Sequence, residues 1–200
     1  KTSSSFINNF FLTQKKNSNV DFNFFTLDGG LARNNLCAHL IENGAVCNVT
    51  GGSFLDKKQH LDNFINISHL VKNCKSNQLF KSVFGGNSSG VFCGKIFVEK
   101  KAQKSSAFQQ NNNLIISDGA TVNAKPQLEI FADDVECSHG CTMGEINSEA
   151  LLYLRSRGIP KKEAINLLVM GFLDDVILTV KNKNIKDRLI LLFLQKRSNV

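Results

Sequence analysis

The sequence predicts a mainly β chain that ends in a small α-helical region, and three observations carry that reading. From residue 20 to about residue 143, short apolar segments with partial inside–outside alternation are separated by Gly, Asn, Asp and Ser turns. Over the same span no apolar pattern of helical spacing reaches about 12 residues. Beyond Asn147 the pattern changes, and apolar residues recur at intervals of three and four.

Taken in order, residues 1–19 mix Ser, Asn and Phe without a clear period and are expected to be poorly ordered or peripheral. Strands are expected at 20–25, 45–49, 79–84, 91–98, 114–117 and 127–132, with partial alternation also at 36–40. Tight Asn-Gly or Asp-Gly hairpins are few, and polar Asn runs stand at strand ends. That combination suits parallel coiling as readily as a sandwich, and the repeat is too irregular to settle the matter. The run Asn111-Asn112-Asn113 is expected at a corner, its amides bonding to backbone or to neighbouring coils. In the tail, Asn147 or Ser148 can cap a first helix that carries Ala150, Leu151 and Leu154 and ends at Gly158. Pro160 suits the first turn of a second helix, with Ala164, Ile165, Leu168, Val169, Phe172, Leu173 and Val176 at helical spacing. A third apolar segment covers 185–194. These helices carry more apolar surface than they can hide among themselves, so one face packs on the strands or receives a partner.

Composition excludes several classes. A hydrophobic share of 42% with 20% charged residues is that of a globular chain, and 200 residues are enough for a sizeable core. No apolar run approaches the roughly 18–20 residues of a membrane helix. The N-terminus has no continuous apolar block of the signal-peptide kind, and the absence of an initiator Met suggests a fragment or a processed chain. Six scattered cysteines do not make a disulfide framework, so a reducing compartment is expected, with Cys37, Cys47, Cys74 and Cys93 as small buried hydrophobes. Of the net charge of +7, residues 1–100 hold 11 basic and 6 acidic groups, 101–147 hold 3 and 6, and 148–200 hold 10 and 5. The positive charge is dispersed and the aromatics are mainly Phe in apolar alternation, which argues against nucleic acid. The glycine-rich stretch 85–96 fails as a phosphate loop: Gly90 stands one residue too close to Gly94-Lys95, and Ile96 has no hydroxyl for Mg²⁺. His39, His60 and His69 have no thiol or carboxylate pattern around them and are expected to be structural.

The chemistry concentrates in Cys137-Ser138-His139-Gly140-Cys141, directly after the acidic Asp133, Asp134 and Glu136. In an extended strand Cys137, His139 and Cys141 share one face. At about 3.3 Å per residue, adjacent members start roughly 6.6 Å apart and the two thiols roughly 13 Å apart. Two soft ligands can converge on one metal atom, but all three cannot unless Gly140 breaks the strand. A straight strand is therefore half a metal site. A Cys137–His139 nucleophile pair is the competing reading, weakened because no third group or nucleophile turn accompanies it.

The residues from 91 to 176 closely resemble the SufD branch of the SufB/SufD family, which serves the SUF iron–sulfur cluster assembly machinery. The likeness runs through GKIFV at 94–98, AQK at 102–104 and QQNNNL at 109–114. It is most specific in TVNAKPQLEIFADDVECSHG at 121–140 and continues in ALLYLRSRGI at 150–159 and Gly171-Phe172. SufB differs at the Cys-Ser-His-Gly element; Cys141 stands where SufD sequences usually carry Ala. The chain is much shorter than a usual SufD, and residues 20–90 look like a diverged part of the same strand domain.

The resemblance implies a right-handed parallel β-helix over 20–144 and a C-terminal helical domain over 145–200. It implies a non-catalytic scaffold that pairs with SufB through the β-helix and binds the ATPase SufC through its helices, here around Phe172, Leu173 and Val176. Cys137 and His139 match the residues implicated in holding a nascent iron–sulfur cluster shared with SufB. ATP would be bound by SufC and not by this chain; no nucleic acid or membrane is implied. The setting would be the cytoplasm, or a plastid stroma if a transit peptide has been removed. The acidic neighbours would raise the Cys137 thiol pKa slightly and attract iron. A stand-alone Cys/His enzyme and a plain β-solenoid interaction module are the alternatives.

Overall fold

Alternation that is patchy in the sequence becomes regular once strands are paired. The computed structural model describes residues 4–198, and among these run ten strands followed by three helices. The strands are β1 (Ser5–Gln14), β2 (Asn19–Thr26), β3 (Leu31–Leu40), β4 (Val46–Leu55), β5 (His60–His69), β6 (Lys75–Phe84), β7 (Ser89–Val98), β8 (Ser105–Ile115), β9 (Thr121–Ile130) and β10 (Val135–Glu145). The helices are α1 (Ser148–Ser156), α2 (Lys161–Leu178) and α3 (Lys183–Ser198). Odd strands form one parallel sheet, β1-β3-β5-β7-β9, and even strands a second, β10-β8-β6-β4-β2. Consecutive strands never pair, so each coil of chain lays one strand on each sheet. The result is a parallel β-solenoid of about five turns, which decides between coiling and sandwich in favour of coiling.

Pairing is in register, so one column of side chains points the same way through successive coils. Leu36, Ile65 and Ile67 face the interior and are fully buried, as are Leu40, His69 and Val98 in one column. The coil length is uneven: Ser5 pairs with Leu31, Leu31 with His60 and Ser89 with Thr121, steps of 26, 29 and 32 residues. A fixed sequence period cannot emerge from such steps, although every coil has the same cross-section. One corner is stabilised alike in successive coils. Asn17, Gly44, Asn73 and Lys104 each take a positive φ there, a conformation that Gly and Asn enter at low cost. The N–H of each donates to a carbonyl of the next coil: Asn43, Asn73, Gln103 and Asp134 in turn.

Two expectations need correction. Residues 1–19 include β1, which pairs with β3 along its whole length; it is the outermost strand of its sheet and mostly exposed. Residues 1–3 lie outside the described residues. The run Asn111-Asn112-Asn113 is not a corner but lies inside β8. Asn111 and Asn113 point inward and are buried, while Asn112 accepts from Gln110 at 2.9 Å and from Thr142 at 2.9 Å on the outer face. An all-polar run can hold a strand here because adjacent coils give every amide a neighbour.

The tail begins where expected: Asn147 Oδ1 accepts from Ala150 N at 2.8 Å to cap α1, and Pro160 precedes α2. The tail does not build a core of its own. Val169, Leu173, Val176 and Ile177 of α2, with Phe193 of α3, pack on the outward column Phe54, Val83 and Leu114 of the even sheet. A Cβ at Gly52 would stand 3.1 Å from Val176 Cγ2 and 2.8 Å from the Phe25 ring, so the missing side chain lets α2 lie close. Ion pairs of Lys81 with Asp175 and of Lys181 with Asp21 fix its polar rim. No helix among the described residues is long and apolar enough to cross a membrane.

Candidate metal-ligand site

β10 is the last strand of the even sheet, paired with β8 on one side only. Its register with β8 is unbroken from Val135 to Glu145, so Gly140 does not bend it. A Cβ at Gly140 would stand 2.7 Å from Gln110 Oε1; the glycine there makes room for an outer-face side chain. The straight-strand geometry therefore holds. Cys137, His139 and Cys141 lie opposite Ala107, Gln109 and Asn111, and those three are buried in the interior. All three candidate ligands thus face the solenoid lumen, and no coil among the described residues covers them.

Their environments differ. Cys137 is half-buried beside Ile96, Val98, Ala107 and Ala132. Burial pushes its thiol above the ordinary range, and a backbone hydrogen bond with Ala107 offsets part of that. The acidic neighbours contribute nothing comparable: Asp133 and Asp134 are exposed in the turn before β10, and Glu136 is exposed on the opposite face. His139 and Cys141 are exposed. Asn111 Nδ2 donates weakly to Cys141 Sγ at 3.8 Å. A thiol and an imidazole adjacent on one face are the donors that iron and iron–sulfur clusters take. Among the described residues no three His, Cys, Asp or Glu side chains converge, so iron held here needs ligands from a second source.

The partner-facing residues expected on α2 are placed differently. Leu173 and Val176 are fully buried against the strands, because that stripe of α2 covers Phe54 and Val83. Phe172 is half-buried with the Lys81 ammonium 5.0 Å from its ring centre. The apolar groups that the tail exposes are Leu152, Tyr153, Leu167, Leu178, Ile185 and Leu191. Among the other thiols, Cys47 and Cys74 are buried as expected, whereas Cys37 and Cys93 are only half-buried. Burial pushes the Cys47 thiol up to about 12, so it is inert. His69 is fully buried, with a ring nitrogen 2.8 Å from Ser76 Oγ. What sequence reasoning missed is the amide layer beneath β10: Gln78, Gln109, Asn111 and Asn113 face inward at 1–4% exposure. Only the strand register reveals it.

The described residues thus form a parallel β-solenoid that carries a thiol and an imidazole side by side on the lumen face of the last strand of one sheet. Residues 1–172 match the family model described as SUF system FeS cluster assembly, SufBD core domain, and the chain belongs to the SufBD family. It is 33% identical over 166 residues to the iron–sulfur cluster assembly protein SufD of Escherichia coli, covering 83% of this chain and 39% of that protein. It is 32% identical over 178 residues to a SufBD family protein of Synechocystis, covering 89% and 39%. It is 31% identical over 179 residues to the chloroplastic protein ABCI7 of Arabidopsis thaliana, covering 89% and 38%. The chain thus spans about two-fifths of these relatives.

Proposed function

We propose that this chain is a scaffold subunit that presents half of an iron–sulfur assembly site to a second β-solenoid of SufB type. The observation that carries the reading is the terminal strand. Cys137 and His139 stand on the lumen face of β10, where a docking partner would continue both sheets and bring the missing ligands. The nascent cluster is the substrate. His139 offers iron an imidazole nitrogen; Cys137 offers a thiolate once iron displaces its proton, a displacement that its raised pKa makes dependent on the metal. The same raised pKa argues against a free-standing Cys nucleophile, which needs an activated thiolate at neutral pH.

The helical tail is the natural seat for the ATPase subunit, SufC, which would bind and hydrolyse the ATP. The surface offered is the exposed set of Leu152, Tyr153, Leu167, Leu178, Ile185 and Leu191 in place of Leu173 and Val176. The cytoplasm or a plastid stroma, both reducing, suits a chain whose six cysteines are free.

The test is anaerobic reconstitution with SufB and SufC followed by iron and sulfide assay. His139→Ala should leave the complex intact and lower bound iron at least tenfold, on the order expected for loss of a ligand. Undiminished cluster in that variant would overturn the assignment. Leu152→Asp with Tyr153→Asp should release SufC alone, and retained SufC would reject the tail surface.

A further inference from the structure

The amide layer beneath β10 holds an unused acceptor next to His139. Gln109 is 2% exposed, and its Nε2 donates to Oε1 of Gln78, on the preceding coil, at 3.1 Å. Its own Oε1 is buried without a partner. The carboxamide has little room to turn: a Cβ at Gly94 of β7 would lie 2.3 Å from Gln109 Nε2 and 2.7 Å from its Cδ. Gly94 thus leaves the space that the amide fills, and Gln78 holds its nitrogen end. Because Gln109 Nε2 is spent on Gln78, its Oε1 is the group left for the coil on the other side, while Gln78 Nε2 is likewise buried without a partner. On the β6 side of Gln109 stands Gln78, and on the β10 side stands His139.

A buried carbonyl oxygen without a donor is costly, so a donor arriving at that place is favoured. The imidazole N–H is the donor that the register supplies. Metal-bound imidazoles generally donate their other N–H to a carbonyl or carboxylate, which fixes the tautomer and the ring direction.

We propose that Gln109 is the positioning residue for His139: when a partner covers the open end, Gln109 Oε1 accepts one imidazole N–H and leaves the other nitrogen bare for iron. The inference rests on the metal-ligand reading of His139. Gln78 anchors the amide and Gly94 makes its seat, so three coils of the solenoid aim one ring.

With only four histidines in the chain, ¹⁵N-histidine labelling of the full-length protein in complex with SufB resolves the tautomer of His139 before iron is added. The native complex should show one tautomer. Gln109→Met, near in volume but without an acceptor, should show a mixture and bind iron(II) about 10- to 100-fold more weakly. Gln109→Glu, which keeps acceptor oxygens, should restore the single tautomer. Where Gln109→Met does not fold, Gly94→Ala displaces the amide by contact and should produce the same mixture. An unchanged tautomer in Gln109→Met or Gly94→Ala overturns the proposal. If His139→Ala abolishes cluster while these variants bind iron normally, the positioning role fails and the ligand role stands. If His139→Ala leaves cluster intact, both fail.

Discussion

The first and last coils among the described residues carry opposite chemistry. At the first coil β1 and β2 turn Phe6, Phe10, Phe22 and Phe24 toward the lumen, and three of these rings pack on one another, with centroids 4.9 Å apart for Phe10–Phe22 and 4.7 Å for Phe22–Phe24. Beneath them lie Leu36, Cys47 and Val49, fully buried. At the last coil β10 turns Cys137, His139, Cys141 and Met143 inward, over Gln109, Asn111 and Asn113. The first coil continues the apolar core, so its inward column suits further apolar packing. The last coil lays two thiols and an imidazole over buried amides, a polar column that gains little from apolar cover and that suits the metal-ligand role proposed above. The inward column of a coil, and not its place in the stack, thus decides what can pack on it.

The comparison makes separable predictions. The largest effect belongs to the aromatic end: Phe24→Ala should cost about 3–4 kcal/mol in urea unfolding, because the ring is only 8% exposed and contacts Phe10, Phe22 and Phe80. Iron binding by the folded fraction should not change. A similar loss at the metal end would erase the distinction.

Acid between pH 4 and 6.5 should act on the middle of the lumen. Burial lowers the His69 pKa from 6.5 to about 4. The unfolded chain therefore binds a proton that the folded chain refuses, and stability is full above pH 6.5 and declines as pH falls toward 4. Over that window the loss is about 3 kcal/mol by linkage. Denaturant midpoints across pH 4–7 should show the slope, and His69→Gln should flatten it; an equal slope in that variant would assign the acid sensitivity elsewhere.

At the metal end Cys137→Ser should reduce bound iron about tenfold, the scale of a lost tuning contact or more, without shifting the melting temperature, whereas Cys141→Ala should leave both unchanged. Two thiols roughly 13 Å apart on a straight strand cannot serve one ion. Equal losses in the two variants would mean that β10 bends on loading. The smallest effect is expected at the tail: Asp175→Asn removes an ion pair whose carboxylate side chain is 64% exposed, and such pairs contribute about 0–1 kcal/mol. A loss beyond that range would mark the α2 rim as part of the core.

Much of this architecture is legible in the order of the residues. The β class, the helical tail with its Asn147 cap, and the Cys137–His139 pair all rest on local signals: period two, period 3.6, and two ligand types on one strand face. β3 and β5 are hard to see that way because Asn34 and Asn63 occupy inward positions. They bond to each other across coils at 2.9 Å, and a hydropathy pattern records only that both are polar. The burial of Leu173 and Val176 is equally hidden, since an apolar helix stripe looks the same whether a strand or a partner covers it.

The linear chain therefore settles which residues can ligate and which segments extend or coil, because those properties depend on neighbours a few positions away. Folding in three dimensions is what makes β10 the end of its sheet, puts Gln109 beneath His139 and occupies one face of α2. The first two are relations between residues about thirty positions apart, set by strand register, and uneven coil lengths leave no fixed period in the chain to announce them. The third joins a helix to strands more than fifty positions earlier, a distance over which local pattern carries no information.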